Sequence, residues 1–177
     1  MTIDKPPEPP LAAPSTGCCP RFDPAPWQDQ ELHWEGKLFV RDRLRTAVHV
    51  PVDMRSHIAH ELALINAAHA LPDPFFMLYE DVSAWGADIR IAVTGPVPGA
   101  QMDSLSGTFL TRVYDGPYSQ TASHIEAMKR SVAAAGRRFD RVFFFYPTCP
   151  TCSRAYGENP TVVLARLLLG AGLALSR

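Results

Sequence analysis

Apolar side chains at Leu38, Val40, Leu44 and Val48 keep one parity along residues 38–50, and this period of two predicts a half-buried strand. Pro51 stops it, and Asp53 is placed to cap a helix reaching about residue 70, with Ile58, Leu62 and Ile65 on one face. Leu71-Pro72-Asp73-Pro74 breaks that helix. Residues 75–81 read as a strand, 83–86 as a turn, and Ile89, Ile91 and Val93 as a second strand ended by Gly95-Pro96. The same order then recurs. Residues 108–114 form a strand, Asp115-Gly116-Pro117 turns the chain, and 119–135 form a helix carrying Ala122, Ile125, Met128 and Val132. Gly136 stands where a helix stops, 142–146 is a strand, 147–160 a loop and 161–169 the last strand. Neither βαββ half is large enough to bury its own helix. The pattern therefore predicts an α+β fold in which both halves join one antiparallel sheet with the two helices on one face.

Length and composition bound the rest. The chain has 177 residues, 46% of them apolar, enough for one sizeable core. Residues 1–16 are rich in proline and alanine, lack the basic start and apolar run of a secretory leader, and read as a disordered tail. Residues 17–36 form an irregular segment whose Trp27 and Trp34 are expected to pack on the domain at 37–177; exposed instead, they would mark a partner surface or a homodimer face. A net charge of −1 gives no footprint for nucleic acid or an anionic membrane. The apolar stretch 162–175 contains Arg166 and is too short to span a bilayer, so a soluble cytoplasmic protein is expected. Arg41, Arg43 and Arg45 alternate on one strand face, read either as solvated or as an anion-binding stripe.

The stretch Gly107-Thr108-Phe109-Leu110-Thr111-Arg112-Val113-Tyr114-Asp115-Gly116-Pro117-Tyr118, inside the doubled βαββ order, resembles the strand-turn-helix signature of the GyrI-like small-molecule-binding superfamily. That superfamily includes ligand domains of multidrug-responsive transcription regulators and some stand-alone hydrolases. The resemblance implies a two-layer fold with a ligand cleft between the halves, lined by aromatic rings and a carboxylate. The cysteine-bearing segments depart from the commoner members and resemble a small bacterial subgroup that carries the loose label of hydrolase. Residues 1–36 hold no helix-turn-helix pattern, so a stand-alone protein is expected rather than a regulator.

All four cysteines fall in pairs, Cys18-Cys19 and Cys149-Pro150-Thr151-Cys152. In a cytosolic protein such pairing points to metal or redox chemistry more than to a structural disulfide. Two thiolates three residues apart on a turn can reach one tetrahedral ion, and a second pair completes a four-sulfur shell that suits zinc, or the softer Cu(I). A closed site would staple the N-terminal segment to the domain; three sulfurs with an open position would allow chemistry. The rival readings are redox or nucleophilic use of one thiol, including sensing of oxidants or soft metals, and reduced cysteines in loops. A thioredoxin-like motif is disfavoured, because the loop after Cys149 leads into a strand instead of a helix.

Glu80 alternates with Phe76 and Leu78, so a carboxyl on that apolar face is expected to have a raised pKa and to serve as general acid or base. Tyr79, Trp85, Tyr114, Tyr118 and Tyr146 are the ligand-lining candidates by analogy with the superfamily, core packing being the alternative for each. His57 and His60, one helical turn apart, and His69 beyond them are expected to be solvated. Glu126 is expected in water, and Glu158 lies in the loop after Cys152. No Gly-x-Ser-x-Gly elbow and no phosphate-cradling glycine loop occurs. These residues support a small-molecule-binding protein, possessing or lacking hydrolase activity, that acts on an apolar ring-containing compound. The alternatives are a protein whose cysteines are the working site, and a plain interaction module.

Overall fold

The computed structural model describes residues 16–168; the expected tail at 1–16 lies outside these but for Thr16, as does Leu169 of the last predicted strand. Leu32 and Trp34 alternate with Glu31, His33 and Glu35, and the first strand accordingly starts earlier than the pattern downstream of residue 38 announces. β1 spans Gln30–Ala47, so the irregular segment ends at Asp29. Gly36, at φ 62°, lies in an irregularity between Trp34 and Lys37 that bends the strand. β1 pairs with β5 (Met102–Asp115) on both sides of the bend, from Gln30 to Val40, and with β4 (Gly86–Ala92) from Phe39 to Arg45. A two-residue strand, β2 (Val50–Pro51), folds back on its end.

β4 pairs with β3 (Met77–Ser83), while β6 (Phe139–Phe145) pairs with β7 (Pro160–Leu167), which returns to β5. All pairings are antiparallel, and the order β1-β4-β3-β6-β7-β5 comes back to β1. The tandem halves thus share one sheet, as the repeat predicts, and the early part of β1 closes it into a barrel. At the opposite seam the halves meet through a single register pair between β3 and β6, Tyr79 with Phe144.

Two helices lie on the outer face. In α1 (Met54–Ala67), Ile65 and Leu62 pack on Val40 and Ile91, and Met54 and Ile58 join the cluster of Leu44 and Ile89. In α2 (Thr121–Ala134), entered through a single 3-10 turn at Tyr118–Gln120, Met128 and Val132 meet Val163, Ala165 and Leu167. Helix α1 therefore covers β1 and β4, α2 covers β7, and the middle strands β3 and β6 run between them. Asp53 occupies the N-cap of α1 at φ 61° but makes no side-chain cap; Ser56 Oγ instead donates to its carbonyl at 2.7 Å.

The inner face is divided along its length. One half is apolar, with Trp34, Phe39, Phe76, Leu78, Phe109, Phe143 and Leu164. Trp27 plugs this end, its ring 5.2 Å from Phe145 and 6.0 Å from Phe76, with Phe22 packed beside it. Trp27 and Trp34 are 3% and 0% exposed, which corrects the reading of both as surface aromatics and upholds their packing on the domain. The other half is ionic. Arg41 and Arg43 pair with Asp88 at 2.8 and 2.6 Å, so those two form no open anion stripe, although Arg43 keeps about half of its side chain in solvent. Finally, the stretch 147–160 is not all loop: α3 (Pro150–Tyr156) begins on Pro150 and closes on Gly157 at φ 71°.

Candidate ligand cleft and cysteine cluster

Alternation along β3 sends Tyr79 and Asp81 to the outer face and Glu80 to the inner one. Tyr79 and Phe144 form the floor between the helices. Tyr146, just past β6, keeps their parity: its ring lies 6.3 Å from Tyr79 and stacks on Phe144 at 6.2 Å. Tyr118, in the 3-10 turn before α2, meets Tyr146 edge-on at 5.2 Å and remains largely exposed. Burial pushes the Tyr79 hydroxyl up to about 12, helped by the charge of Asp81, and raises those of Tyr146 and Tyr118. These phenols stay protonated donors at neutral pH. Among the described residues the buried Tyr79 hydroxyl and Asp81 Oδ1 have no hydrogen-bond partner, while Asp81 Oδ2 lies 2.6 Å from His49 Nδ1. Three phenol rings and a carboxylate on one apolar floor can stack a flat ring system and pair with a donor or a cation on it.

The other predicted lining residues are elsewhere. Trp85 stands 70% exposed in the turn after β3, without a ring contact to the tyrosines among the described residues. Tyr114 stacks on His124 of α2 at 4.7 Å. Glu80 belongs to the ionic half of the barrel, where Arg141 grips it with Nε at 2.8 Å and Nη2 at 2.6 Å, and Arg90 Nη1 reaches it at 2.7 Å. Arg90 continues to Asp103 at 2.7 Å, and both guanidiniums lie over the Phe143 ring. Burial would push the Glu80 carboxyl up, but these hydrogen bonds and charges outweigh it, and its pKa is lowered. The expected rise is thereby reversed: two guanidiniums on the inner face favour the charged form.

On α1, His57 is part-exposed but paired. Its Nδ1 lies 2.6 Å from Oδ2 of Asp42 on β1. Glu61, one turn further along, is 7% exposed, and its Oε2 has no hydrogen-bond partner among the described residues. Burial raises the Glu61 pKa, and the charge of Asp42 adds to it against His60 and His57. His60 and His69 are exposed as expected, and so is Glu126, paired with Lys129.

The four cysteines converge at the apolar end of the barrel. Cys18 and Cys19 come from the segment before β1, Cys149 is the N-cap of α3, and Cys152 is buried in its first turn. The Sγ atoms of Cys149 and Cys152 are 3.4 Å apart, those of Cys18 and Cys19 3.6 Å, and those of Cys18 and Cys149 4.0 Å. All four lie within 4.8 Å of one another. Sulfurs about 2.3 Å from a tetrahedral zinc are separated by about 3.8 Å, so the separations match a four-sulfur shell. Strand β6, a short link and α3 do form a strand-then-helix context around the Cys-x-x-Cys, contrary to the loop predicted there. Hydrogen bonds from Cys152, backbone first, and from the Thr151 N–H hold the Cys149 thiol down at about 6, while burial pushes Cys19 up to about 12. The segment is held by more than sulfur: Tyr156 donates to the Cys19 carbonyl, and Arg21 pairs with Glu158 at 3.3 Å over the Tyr156 ring. Arrangements of this kind can bind a soft or borderline metal or pass to a disulfide.

Residues 11–167 match the model of a family described as bacterial hydrolase. A search of curated proteins found no match. Among solved structures, the EcmrR C-terminal domain is similar with a TM-score of 0.59 at 13% identity, over 80% of this chain and 98% of that one. An uncharacterized conserved protein from Listeria innocua matches with a TM-score of 0.59 at 9% identity, over 80% and 92%. A hydrolase from the same organism gives 0.56 at 10% identity with the same coverage. The chain matches 57% of the longer EcmrR seen in a DNA complex. At these identities the likeness is one of fold, and it bears out the GyrI-like resemblance and the α+β architecture. Among the described residues, no helix is long and apolar enough to cross a membrane.

Proposed function

The chain belongs to the bacterial hydrolase family, and from that premise we propose that it takes up an apolar, ring-containing compound in a GyrI-like cleft and hydrolyses it. The observation that carries this reading is the convergence of Tyr79, Tyr118 and Tyr146 over Phe144 with Asp81 beside them, at the seam of β3 and β6 between the two helices. The rings would stack the compound and Asp81 would select one bearing a donor or positive charge. Glu80, saturated by Arg90 and Arg141, is the anchor of the ionic half of the barrel in this reading, and the acid-base work passes to residues of the outer face. Titration with rhodamine 6G, a planar cationic dye, tests the cleft. Tyr146→Ala and Asp81→Asn are each expected to weaken binding by about 10-fold, the equivalent of about 1.4 kcal/mol; unchanged affinity in both would refute it.

The cysteine cluster fits a structural zinc. Cys18, Cys19, Cys149 and Cys152 would supply four thiolates, and a shell closed in this way leaves no position for substrate. The ion would tie residues 16–29, and with them Trp27, to α3. Protein purified without added metal is expected to carry about one zinc per chain with all four thiols protected. The rival use, as a redox or soft-metal sensor, is favoured by one observation, a Cys149 thiol held at about 6 and 3.4 Å from the Cys152 sulfur. Metal-free protein with a single fast-reacting thiol would support that use and sink the zinc reading.

A further inference from the structure

The outer face carries a second feature that ring binding leaves unexplained. Asp42 lies opposite Ile89 in the β1–β4 register, and Ile89 lies opposite Tyr79 in the β4–β3 register. Neighbouring strands are about 4.8 Å apart, so the Asp42 backbone is about 10 Å from that of Tyr79, with the buried Ile89 between them. His57 stands above Asp42 on α1, next to Ile58, which belongs to the same apolar cluster as Tyr79 and Tyr146. A carboxylate can only accept a hydrogen bond, so in the neutral imidazole Asp42 holds the proton of His57 on Nδ1 and the lone pair falls on Nε2. Glu61 lies four residues on, on the same helix face, its buried Oε2 lacking a hydrogen-bond partner among the described residues. An aspartate, an oriented histidine and a buried carboxyl without a hydrogen-bond partner among the described residues thus stand at the edge of the apolar cluster that holds Tyr79 and Tyr146.

We propose that His57 is the general base of this cleft, oriented by Asp42 as a positioning residue, and that it hydrolyses a carboxylic ester whose aromatic part rests on the tyrosines. This rests on the ligand reading above. His57 Nε2 takes a proton from water as the water oxygen bonds to the acyl carbon, and the carbonyl pair moves onto its oxygen. Glu61, on the same face of α1, is the side chain that in its protonated form would donate to the oxygen that gains the charge. When that pair reforms the carbonyl, the bond to the leaving oxygen breaks, and the leaving group takes the proton back from His57. The products are an acid and an alcohol, and water is the sole co-reactant.

The test is hydrolysis of p-nitrophenyl benzoate by the full chain, with rhodamine 6G binding measured in parallel. The proposal expects His57→Ala to lose roughly 10²- to 10⁴-fold in kcat/KM, to regain activity with added imidazole, and to bind the dye as before. Asp42→Asn should lower kcat with KM nearly unchanged, and His60→Asn, at an exposed position, should leave both alone. His57→Asn serves if the alanine variant does not fold. Dye binding by wild type without ester hydrolysis, or activity that survives both His57 variants, or a loss that imidazole does not restore, overturns the base and leaves the cleft standing. Hydrolysis that needs His57 in a protein that binds no dye would keep the base and remove the tyrosine site.

Discussion

At the scale of single residues, Glu80 has the clearest physical signature in the molecule. Held by Arg141 and Arg90 on the inner face, its pKa is lowered, and the same direction holds for Asp103 under Arg90 and for Asp140 under Arg166. A carboxyl whose folded pKa lies below its unfolded value of about 4.3 stabilises the fold above that pH and loses the contribution as pH falls through the folded value. Glu80→Gln is therefore expected to cost about 1–3 kcal/mol at neutral pH, and chemical denaturation should show the gap closing in strong acid. A gap independent of pH would contradict the ion-pair account. The alternation along β3 separates Glu80 from Asp81 but does not say which of them faces the ligand. Phe76 and Leu78 on one side and Met77 and Tyr79 on the other are all apolar, because the sheet is covered on both faces. Only the closed barrel and the position of the helices distinguish them.

Among the elements, the segment before β1 and α3 behave as a unit. Phe22 and Trp27 fill the apolar end of the barrel, and in the proposed zinc-bound form the cysteines at both ends of the contact would hold them there. A metal at about 1,000 times its Kd adds about 4 kcal/mol to folding, so chelation is expected to lower Tm by roughly 10 °C. It should also red-shift tryptophan emission as Trp27 is freed; a spectrum and a Tm indifferent to chelator would remove the staple. Cues for α3 are present in the sequence, since Pro150 favours a first helical position and Gly157 a stop. Seven residues between Pro147 and Pro160 have too little periodicity to stand out from a loop. The start of β1 was equally legible in Leu32 and Trp34, whereas its pairing with β5 was not, because pairing between the ends of a repeat leaves no local trace.

For the whole molecule, the doubled βαββ order is readable because each element has its own period, while closure depends on how one long strand is shared. β1 pairs with β5 along its first part and with β4 along its last, with Phe39 and Val40 between both, and Trp27 seals the barrel that results. Removal of residues 1–29 is thus expected to unfold the domain in a denaturation experiment, since Trp27 alone accounts for about 3–5 kcal/mol. A truncated chain that stayed folded would make the segment an appendage. Closure also sets the place of the proposed cleft: the halves meet at one register pair between β3 and β6, with a helix on either side of that seam. The most direct test of this account is rhodamine 6G affinity in Tyr146→Ala and in Glu80→Gln, measured side by side on folded protein. The account predicts weaker binding in the first and wild-type binding in the second. Loss of binding in Glu80→Gln with Tyr146→Ala unaffected would put the ligand inside the barrel and contradict it.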